Sequence, residues 1–445
     1  MTIDDHPAVQ RVRKREATRR SKQQVVLDAG ELRQLLLDAG ADDVGFVEID
    51  RPELSDQRDD IARALPGAKA LAAFVVRMNR EPIRTPARSL ANLEFHHTGD
   101  EIDAIGRKVV RALQERGVRA LSPAMGFPME MDRFPDKIWV VSHKPVAVAA
   151  GLGRMGIHRN VIHPKFGNFI LLGTIVLDAE VSDYGRPIDY NPCLECKLCV
   201  AACPVGAIGA DGHFNFNACY THNYREFMGG FSDWIEQVVE SRGRRDYRER
   251  FVDTETASMW QSLSFGPNYK AAYCLSVCPA GEDVLAPYLA DRRQFMVDHL
   301  RPLQEKEEAV YVVPGSDAES HVPGRFPNKT IRRVAGTLRP RNVDQFIVGL
   351  PLVFQPGKSE GLEATYHFTF FGAEARDVTV VIRDRRVTVF DGHAGRADLQ
   401  VTADTRTWLG FLAKERSLVW ALLSRRIRLK GPPRLLIAFG KCFPS

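Results

Sequence analysis

Four cysteines lie close together in the segment NPCLECKLCVAACP, which covers residues 191–204. Cys193, Cys196, Cys199 and Cys203 follow the spacing C-x2-C-x2-C-x3-C, and a proline comes directly after the last of them. This is the spacing of bacterial-type [4Fe–4S] sites, in which a tight loop turns three thiolates toward one cluster and the fourth serves a neighbouring cluster. Structural zinc and buried free thiols are the alternatives, but zinc sites typically use two separated pairs of ligands. The segment therefore predicts an iron–sulfur cluster and a protein that transfers electrons.

Three further cysteines continue the pattern downstream, and a proline again follows the last of them. In two-cluster ferredoxins the last cysteine of each run binds the cluster of the other run. This rule assigns the thiolates to two centres: cluster one takes Cys193, Cys196, Cys199 and Cys278, and cluster two takes Cys203, Cys219 and Cys274.

Cluster two lacks a fourth thiolate because Ala271 occupies the position where the second run would begin. Three interpretations stay open. The centre is a [3Fe–4S] cluster, or a [4Fe–4S] cluster completed by another ligand such as His222 or His213, or it has an iron that binds water or substrate as a Lewis acid. Cys442 lies far from the other cysteines, and we expect it to be an ordinary buried thiol.

The composition narrows the class of protein. A chain of 445 residues predicts two or three domains, and an apolar fraction of 44% suffices for ordinary cores. The net charge of +5 is small for this length and does not indicate a nucleic-acid partner. Seven clustered cysteines favour metal binding in a reducing compartment over disulfides. No apolar run reaches about 18 residues or follows the twin arginines at 19–20, so we expect no signal peptide, no membrane span and a cytoplasmic protein.

Helices and strands alternate ahead of the cysteines. The apolar periodicity predicts helices at 31–40 and 101–117 and strands at 42–49, 65–78, 137–142 and 168–178.

This alternation predicts an α/β domain over 24–185, preceded by a basic disordered tail over 1–23. A ferredoxin-like iron–sulfur domain follows over 186–300. The segment 301–325 is rich in charge, Pro and Gly and is predicted to be a linker.

Residues 326–445 predict a domain of a different class. Strands are expected at 364–372, 377–392 (a hairpin), 397–404 and 426–431, and apolar helices at 405–415, 417–426 and 432–443. The fold class is therefore multidomain, α/β followed by α+β. The apolar helix faces form an ordinary core, or they line a tunnel for a hydrophobic ligand.

The segment AAGLGRMG contains a G-x-G-x-x-G pattern formed by Gly151, Gly153 and Gly156. In a dinucleotide site this pattern opens a helix. Here it leads into IHRNVIHPKFGN, whose proline and glycine disfavour one. We therefore expect the glycines to let the backbone approach either a bound ligand or cofactor, or a neighbouring strand.

The first 300 residues resemble the epoxyqueuosine reductase and reductive dehalogenase superfamily. The resemblance rests on the segments LLDAGADDVGFVEI, LPGAKALAAFVV, AGLGRMGIHRNVIHPKFGNFILLGTIVLD, CLECKLCVAACPVGAI and CLSVCP. It implies a base-off cobalamin in the N-terminal α/β domain, reduced through the two clusters and used for a reductive elimination. It also implies a proton donor near the corrinoid, for which DRFPDKIWVVSHKPVAVAAGLG offers Asp132, Asp136 and His143.

The helical-repeat region with which epoxyqueuosine reductases bind tRNA has no counterpart here, so no nucleic-acid partner is expected. The last 120 residues or so instead resemble sterol-carrier-protein-like lipid-binding domains. The matching segments are TYHFTFFG, VTVVIRDRRVTVFDG, ADLQVTADTRTWLGFLAKE and KGPPRLLIAFGKCF. This resemblance implies a cavity for a sterol, an acyl chain or another apolar molecule.

These observations predict a cobalamin-dependent iron–sulfur oxidoreductase. A ferredoxin or flavodoxin supplies electrons, which pass through two clusters and reduce a hydrophobic small molecule. The alternative is a non-catalytic protein, in which the clusters only carry electrons or sense redox state while the C-terminal domain binds lipid. Binding of cobalamin distinguishes the two.

Overall fold

The computed structural model describes residues 2–16, 26–134, 137–336 and 338–444. The helices and strands of its N-terminal part are α1 Pro7–Glu16, β1 Val26–Leu27, α2 Ala29–Ala39, β2 Asp43–Glu48, α3 Arg58–Ala64, β3 Ala70–Arg77, α4 Arg80–Arg84, α5 Arg88–Glu115, β4 Ala120–Leu121, α6 His143–Ala149, β5 Arg154–Met155, β6 Val161–Ile162, β7 Ile170–Leu177 and β8 Glu180–Val181. Helix α2 begins after Asp28, which accepts a hydrogen bond from the Glu31 N–H, and ends at Gly40 with a positive φ of 121°.

An antiparallel sheet in the order β2-β3-β7-β4 forms the centre of this part. Seven of the eight residues of β3 are buried, because helices cover both faces of the strand. Leu36 of α2 and Val109 of α5 pack on one face, and Val146 of α6 packs on the other. The α/β class predicted for this part is confirmed.

The middle part carries the cysteines. Its elements are α7 Leu198–Ala202, α8 Phe216–Asn223, α9 Gly229–Glu240, α10 Arg244–Arg250, α11 Asp253–Phe265, α12 Tyr273–Ser276, α13 Glu282–Ala290, α14 Arg292–His299, α15 Arg301–Glu305, β9 Ala309–Val312, α16 Asp317–Arg325 and β10 Thr330–Arg333. Strands β9 and β10 pair in parallel.

The segment 301–325 is not an extended linker. It forms α15, β9 and α16, and its Leu303, Val310 and Val322 are fully buried. These side chains belong to the same apolar cluster as Cys199 and Cys203. The Pro, Gly and charged residues that predicted a linker alternate with buried apolar residues that complete the core around the cysteines.

The C-terminal part contains α17 Val343–Val353, β11 Ala364–Phe371, β12 Arg376–Arg383, β13 Arg386–Asp391, β14 Leu399–Asp404, α18 Thr405–Leu412, α19 Leu418–Leu423, β15 Ile427–Lys430 and α20 Pro433–Cys442. Its sheet has the order β13-β12-β11-β14-β15, in which only the pair β11–β14 is parallel. Phe346, Phe368 and Trp408 pack edge to face at the centre of its core. The predicted strands and helices of this region are therefore present.

Two local expectations are wrong. Residues 137–142 form no strand, because Ser142 exchanges backbone hydrogen bonds with the side chain of Gln57, at 2.7 and 3.5 Å. The part of the predicted disordered tail that the structure describes includes helix α1. The domain boundaries themselves stay predictions. Within the described ranges, no helix combines the length and the apolar character needed to cross a bilayer.

The buried position of Leu303 yields a stability prediction. We expect Leu303→Ala to lower the free energy of unfolding by about 2–5 kcal/mol, since it removes a fully buried side chain. Leu289→Ala, at a residue that is 61% exposed, is the control and should change stability by less than about 0.5 kcal/mol. Urea unfolding of the anaerobic protein measures both, and equal, small effects would mean that 301–325 is a linker after all.

Candidate metal centre

The two cysteine runs fold in the same way. Helix α7 follows Lys197 in the left-handed region, at φ 61°, and α12 follows Ala272 at φ 56°. A non-glycine residue rarely adopts this conformation, and here it turns the chain sharply into each short helix. Cys199 and Cys274 then occupy the same second position of the two helices. The two short helices therefore place Cys199 of the first run and Cys274 of the second run close to each other.

The four cysteines assigned to cluster one line a single cavity. Cys193 and Cys196 are partly exposed, whereas Cys199 and Cys278 are buried. Burial raises the pKa of Cys278 to about 12, and the neighbouring Cys196 and Cys193 thiolates add to the rise. Bringing thiolates this close costs energy that positively charged iron offsets. The structure thus brings together the set that the exchange rule predicts.

The three cysteines assigned to cluster two form a second group. Burial raises the pKa of Cys219, and the Cys203 and Cys274 thiolates raise it further. Burial and Cys203 likewise raise the pKa of Cys274 to about 11. The side chain of Asn160 donates to the Cys274 sulfur at 3.8 Å, and the Ala207 N–H donates to the Cys203 sulfur at 3.3 Å.

Neither group has the geometry of a single-ion site. Over the described residues, no set of three or more His, Cys, Asp or Glu side chains converges closely enough to hold one metal ion. Zinc draws its ligands to within about 2.0–2.3 Å of one point. The spacing of the cysteines favours an iron–sulfur cluster over zinc.

Ala271 is the counterpart of Cys196 in the local repeat, and its methyl group stands where a thiolate belongs. It is 8% exposed, and its N–H donates to the Asn223 side chain at 3.0 Å. His213 is exposed. His222 is buried, and its Nδ1 accepts the Tyr311 N–H at 3.3 Å. A neutral imidazole with Nδ1 as acceptor carries its proton on Nε2, which leaves no lone pair there for iron.

A second histidine faces cluster one. His158 is 4% exposed and lines the cluster-one cavity. Its Nδ1 accepts the Asn160 N–H at 3.1 Å, so Nε2 carries the proton, and among the described residues this N–H has no acceptor. Burial, with Lys144 as a nearby positive charge, lowers the pKa of His158 to about 4. It is therefore a neutral donor suited to a cluster sulfur.

Lys144 lies close to the cluster-two cysteines Cys274 and Cys219. Lys144 retains solvent-exposed surface, yet burial lowers its pKa, opposed by the Cys274 and Cys219 thiolates. Its ammonium donates to the Arg159 carbonyl at 2.7 Å and to the Asn160 side chain at 3.3 Å.

Tyr224 and Tyr269 are also partly exposed while burial raises the pKa of each. We infer that Lys144 and these two tyrosines line a cleft that opens to solvent beside the cluster-two cysteines. The two rings pack edge to face, with centroids 5.7 Å apart. The inferred cleft would have an aromatic wall formed by these two rings, with Lys144 and the Cys219 and Cys274 thiolates beside it.

The three residues predicted as proton donors differ in their surroundings. His143 is buried, its Nε2 donates to the Ala124 carbonyl at 3.0 Å, and its Nδ1 is 2.9 Å from the Thr174 hydroxyl. Both nitrogens are occupied, and burial lowers the pKa, so the imidazole is neutral and structural. Asp132 is exposed on the 3₁₀ turn Met131–Arg133. Asp136 lies outside the described residues.

The three glycines contact protein rather than open space. A Cβ on Gly151 would lie 2.6 Å from the Arg186 carbonyl, and one on Gly153 would lie 2.4 Å from the Ile162 carbonyl. A Cβ on Gly156 would lie 2.8 Å from the Ile162 side chain. Of the two expectations, the close approach to a neighbouring strand, β6, is the one present. The geometry gives no support to the assignment of these glycines as cofactor ligands.

Comparison with known proteins supports the iron–sulfur assignment. The family model described as "4Fe-4S binding domain" matches residues 186–209, which include the first four cysteines. The predicted [4Fe–4S] region is therefore confirmed.

The curated relatives that match part of the chain are epoxyqueuosine reductases. The protein of Leadbetterella byssophila is 28% identical over 155 residues, which cover 34% of this chain and 47% of the relative. That of Cellulophaga algicola is 23% identical over 243 residues, covering 48% and 76%. The chain spans about half the length of the first of these. The predicted iron–sulfur reductase agrees with these relatives.

Solved structures give a weaker likeness. An epoxyqueuosine reductase from Streptococcus thermophilus aligns over 61% of this chain and 75% of its own at 15% identity, with a TM-score of 0.35. A catabolic reductive dehalogenase aligns over 61% and 34% at 16% identity, with a TM-score of 0.38. Both TM-scores are below 0.5 and carry no argument about this chain.

The pairing of cysteines across the two runs can be tested directly. We expect Cys278→Ser to lose cluster one and to keep cluster two. Cys278 is the last cysteine of the second run in the sequence, but in the structure it lies with the cysteines of the first run. Iron and sulfide content with EPR of the reduced protein measures the loss. Cys442→Ser, at a buried cysteine remote from both groups, is the control. Loss of cluster two alone in Cys278→Ser would contradict the assignment.

Proposed function

We propose that this chain is a reductase that passes single electrons through cluster one and cluster two to a molecule bound in the cleft beside Lys144. The observation that carries this proposal is the placement of the two cysteine groups, one lining a cavity and the other lying close to Lys144. The cluster-one cavity is lined by Leu194, which is 44% exposed, and so lies near the surface. The cluster-two cysteines Cys219 and Cys274 border the cleft. A ferredoxin or flavodoxin docking at cluster one would supply the electrons.

The cleft is the proposed site of cobalamin. Its aromatic wall suits the broad, largely apolar face of a corrin ring, and Lys144 and Asn160 offer polar groups to its rim. A bound corrinoid supplies a low-potential metal centre for reductive bond cleavage. Partial similarity to epoxyqueuosine reductases supports this choice, which the sequence resemblance also implies.

Lys144 is the proposed proton donor in place of Asp132, Asp136 and His143. It combines exposure to the cleft with a lowered pKa, and so has a proton to give nearer to neutral pH than an ordinary lysine. Its hydrogen bonds to the Arg159 carbonyl and to Asn160 hold the ammonium in one place.

The C-terminal part is the proposed holder of an apolar molecule, as its sterol-carrier-like sequence implies. The five-stranded sheet with helices packed over it supports this proposal. So do the exposed apolar side chains on α19 and α20, among which Val419 is 66% exposed, Leu423 80% and Ile437 65%. We therefore favour a hydrophobic substrate, and we propose no nucleic-acid partner and a cytoplasmic location.

Anaerobic reconstitution with iron, sulfide and cobalamin tests the proposal. We expect the purified protein to retain a corrinoid absorption band together with both clusters. With reduced viologen as electron source it should convert an aryl bromide to the arene, a reaction that takes up two electrons and one proton and releases bromide. Intact clusters with no retained corrinoid would favour the electron-transfer alternative.

The same assay tests Lys144. We expect Lys144→Gln to keep its clusters and corrinoid while the rate of debromination falls at least about tenfold, because the proton must then come from water. Lys108→Gln, at an exposed lysine on α5, is the matched control. An unchanged rate in Lys144→Gln would exclude the lysine as the donor.

Cluster two is proposed to have one iron that no thiolate holds, since Ala271 replaces the fourth cysteine. We expect mild oxidation of the wild-type protein to release that iron and produce the EPR signal of a [3Fe–4S] cluster. Ala271→Cys supplies the missing ligand and should abolish the signal while raising the iron content. Ala201→Cys, which adds a thiol to α7 outside the predicted ligand set, should leave it. Persistence of the signal in Ala271→Cys would show that another residue completes cluster two.

A further inference from the structure

Two arginines lie beneath the cysteine helix α12. Arg84 ends α4, and Arg88 begins α5 four residues later. Arg84 is 9% exposed, and its guanidinium lies between the rings of Phe169 and Phe295, 5.3 and 5.4 Å from their centroids. Its Nε and one terminal nitrogen are buried without a hydrogen-bond partner in the described structure.

Arg88 reaches the segment that carries Cys274. One terminal nitrogen donates to the Ile83 carbonyl and the Thr85 carbonyl, both at 3.1 Å, and to the Ser276 hydroxyl at 3.3 Å. The guanidinium also lies 5.3 Å from the centroid of the Tyr273 ring. Its Nε is buried and has no partner in the described structure. Tyr273 and Ser276 flank Cys274 within α12, so Arg88 sits directly against the cysteine helix.

Neither arginine forms an ion pair with a carboxylate among the described residues. Glu81, the carboxylate that acts on Arg84, is exposed. Glu308, the carboxylate that acts on Arg88, already pairs with Lys329 at 2.8 Å and with Lys306 at 3.1 Å. A guanidinium does not lose its proton in a protein, and burying it without a counter-charge is strongly unfavourable.

The thiolates add negative charge near both guanidinium groups. Glu81 acts on Arg84 more strongly than Cys278 does, and Tyr273 and Glu308 act on Arg88 more strongly than Cys274 does, but Cys278 of cluster one and Cys274 of cluster two each act in the same stabilising direction. A cluster held by thiolates is itself an anion and gains one more negative charge on reduction. A fixed buried cation therefore stabilises the reduced state and raises the reduction potential.

We propose that Arg84 is the counter-charge of cluster one and Arg88 the counter-charge of cluster two, and that each sets the reduction potential of its own cluster. The exposed cation Lys144 also faces cluster two, which has one thiolate fewer than cluster one. Cluster two therefore has the higher potential, and electrons run from the surface cluster to the cleft. This inference rests on the two clusters of the proposed function, but not on the corrinoid.

Redox titration followed by EPR tests the assignment on the full chain, reconstituted with iron and sulfide. Arg84→Met keeps the apolar contact with both phenyl rings and removes the charge. We expect it to lower the reduction potential of cluster one by at least about 59 mV, which corresponds to a tenfold change in the one-electron equilibrium constant. The potential of cluster two should stay unchanged. Arg88→Met should lower the reduction potential of cluster two and leave that of cluster one unchanged. Arg84→Lys keeps the charge and should keep the potential near that of wild type.

Arg80→Met is the matched control, because Arg80 lies on the same helix and is exposed. It should shift neither potential. Equal iron content with unmoved potentials in Arg84→Met and Arg88→Met would overturn the inference, as would a wild-type cluster one with the higher potential. Arg84→Met could lose cluster one altogether. In that case, an Arg84→Lys variant that keeps cluster one would support the need for a positive charge, and an Arg84→Lys variant that also loses the cluster would overturn the inference. Wild-type protein that binds no iron would instead defeat the proposed function.

Discussion

The exchange of thiolates between two short helices is the constraint on which this structure depends. Cys278 lies with the first cysteine run and Cys203 with the second, so neither centre can form from one run alone. Helices α7 and α12 must therefore pack together, although about 70 residues separate Cys203 from Cys274. The core beneath them is closed by α15, β9 and α16. These elements bury Leu303, Val310 and Val322 against the cysteine helices.

Burying charged thiolates and guanidinium groups in this region costs electrostatic free energy, which bound iron would offset. Grouped thiolates raise one another's pKa, while Arg84 and Arg88 are buried cations without carboxylate partners among the described residues. Each set carries the charge that the other lacks. Because α4 and α5 come from the N-terminal α/β part, the clusters join the two parts by charge as well as by packing. The same juxtaposition brings Lys144 of the α/β part close to Cys274 and Cys219 of the middle part.

An element could be predicted from the sequence where its buried apolar residues follow a regular period, and not where surface residues dominate its composition. The C-terminal strands and helices were readable because Phe368, Val380 and Val401 alternate or repeat with a clear period. The segment 301–325 was misread because its surface residues dominate its composition, while the few that matter point into the core. Residues 137–142 look like a strand, yet the Gln57 side chain takes the backbone groups that a neighbouring strand would bind.

The sequence by itself determined where the cysteines stand, and from their spacing it predicted which of them hold iron, how they divide between two centres, and that Ala271 leaves one centre a thiolate short. Ligand spacing is a property of the chain, so it can be read without a structure. Only the tertiary structure decided what surrounds the thiolates. It placed Arg88 beside Ser276, 188 residues away, set Lys144 close to Cys274 and Cys219, occupied both nitrogens of His143, and filled the space beside Gly151 with backbone. Charge, burial and hydrogen-bond partners come from distant parts of the chain, and no spacing along it records them.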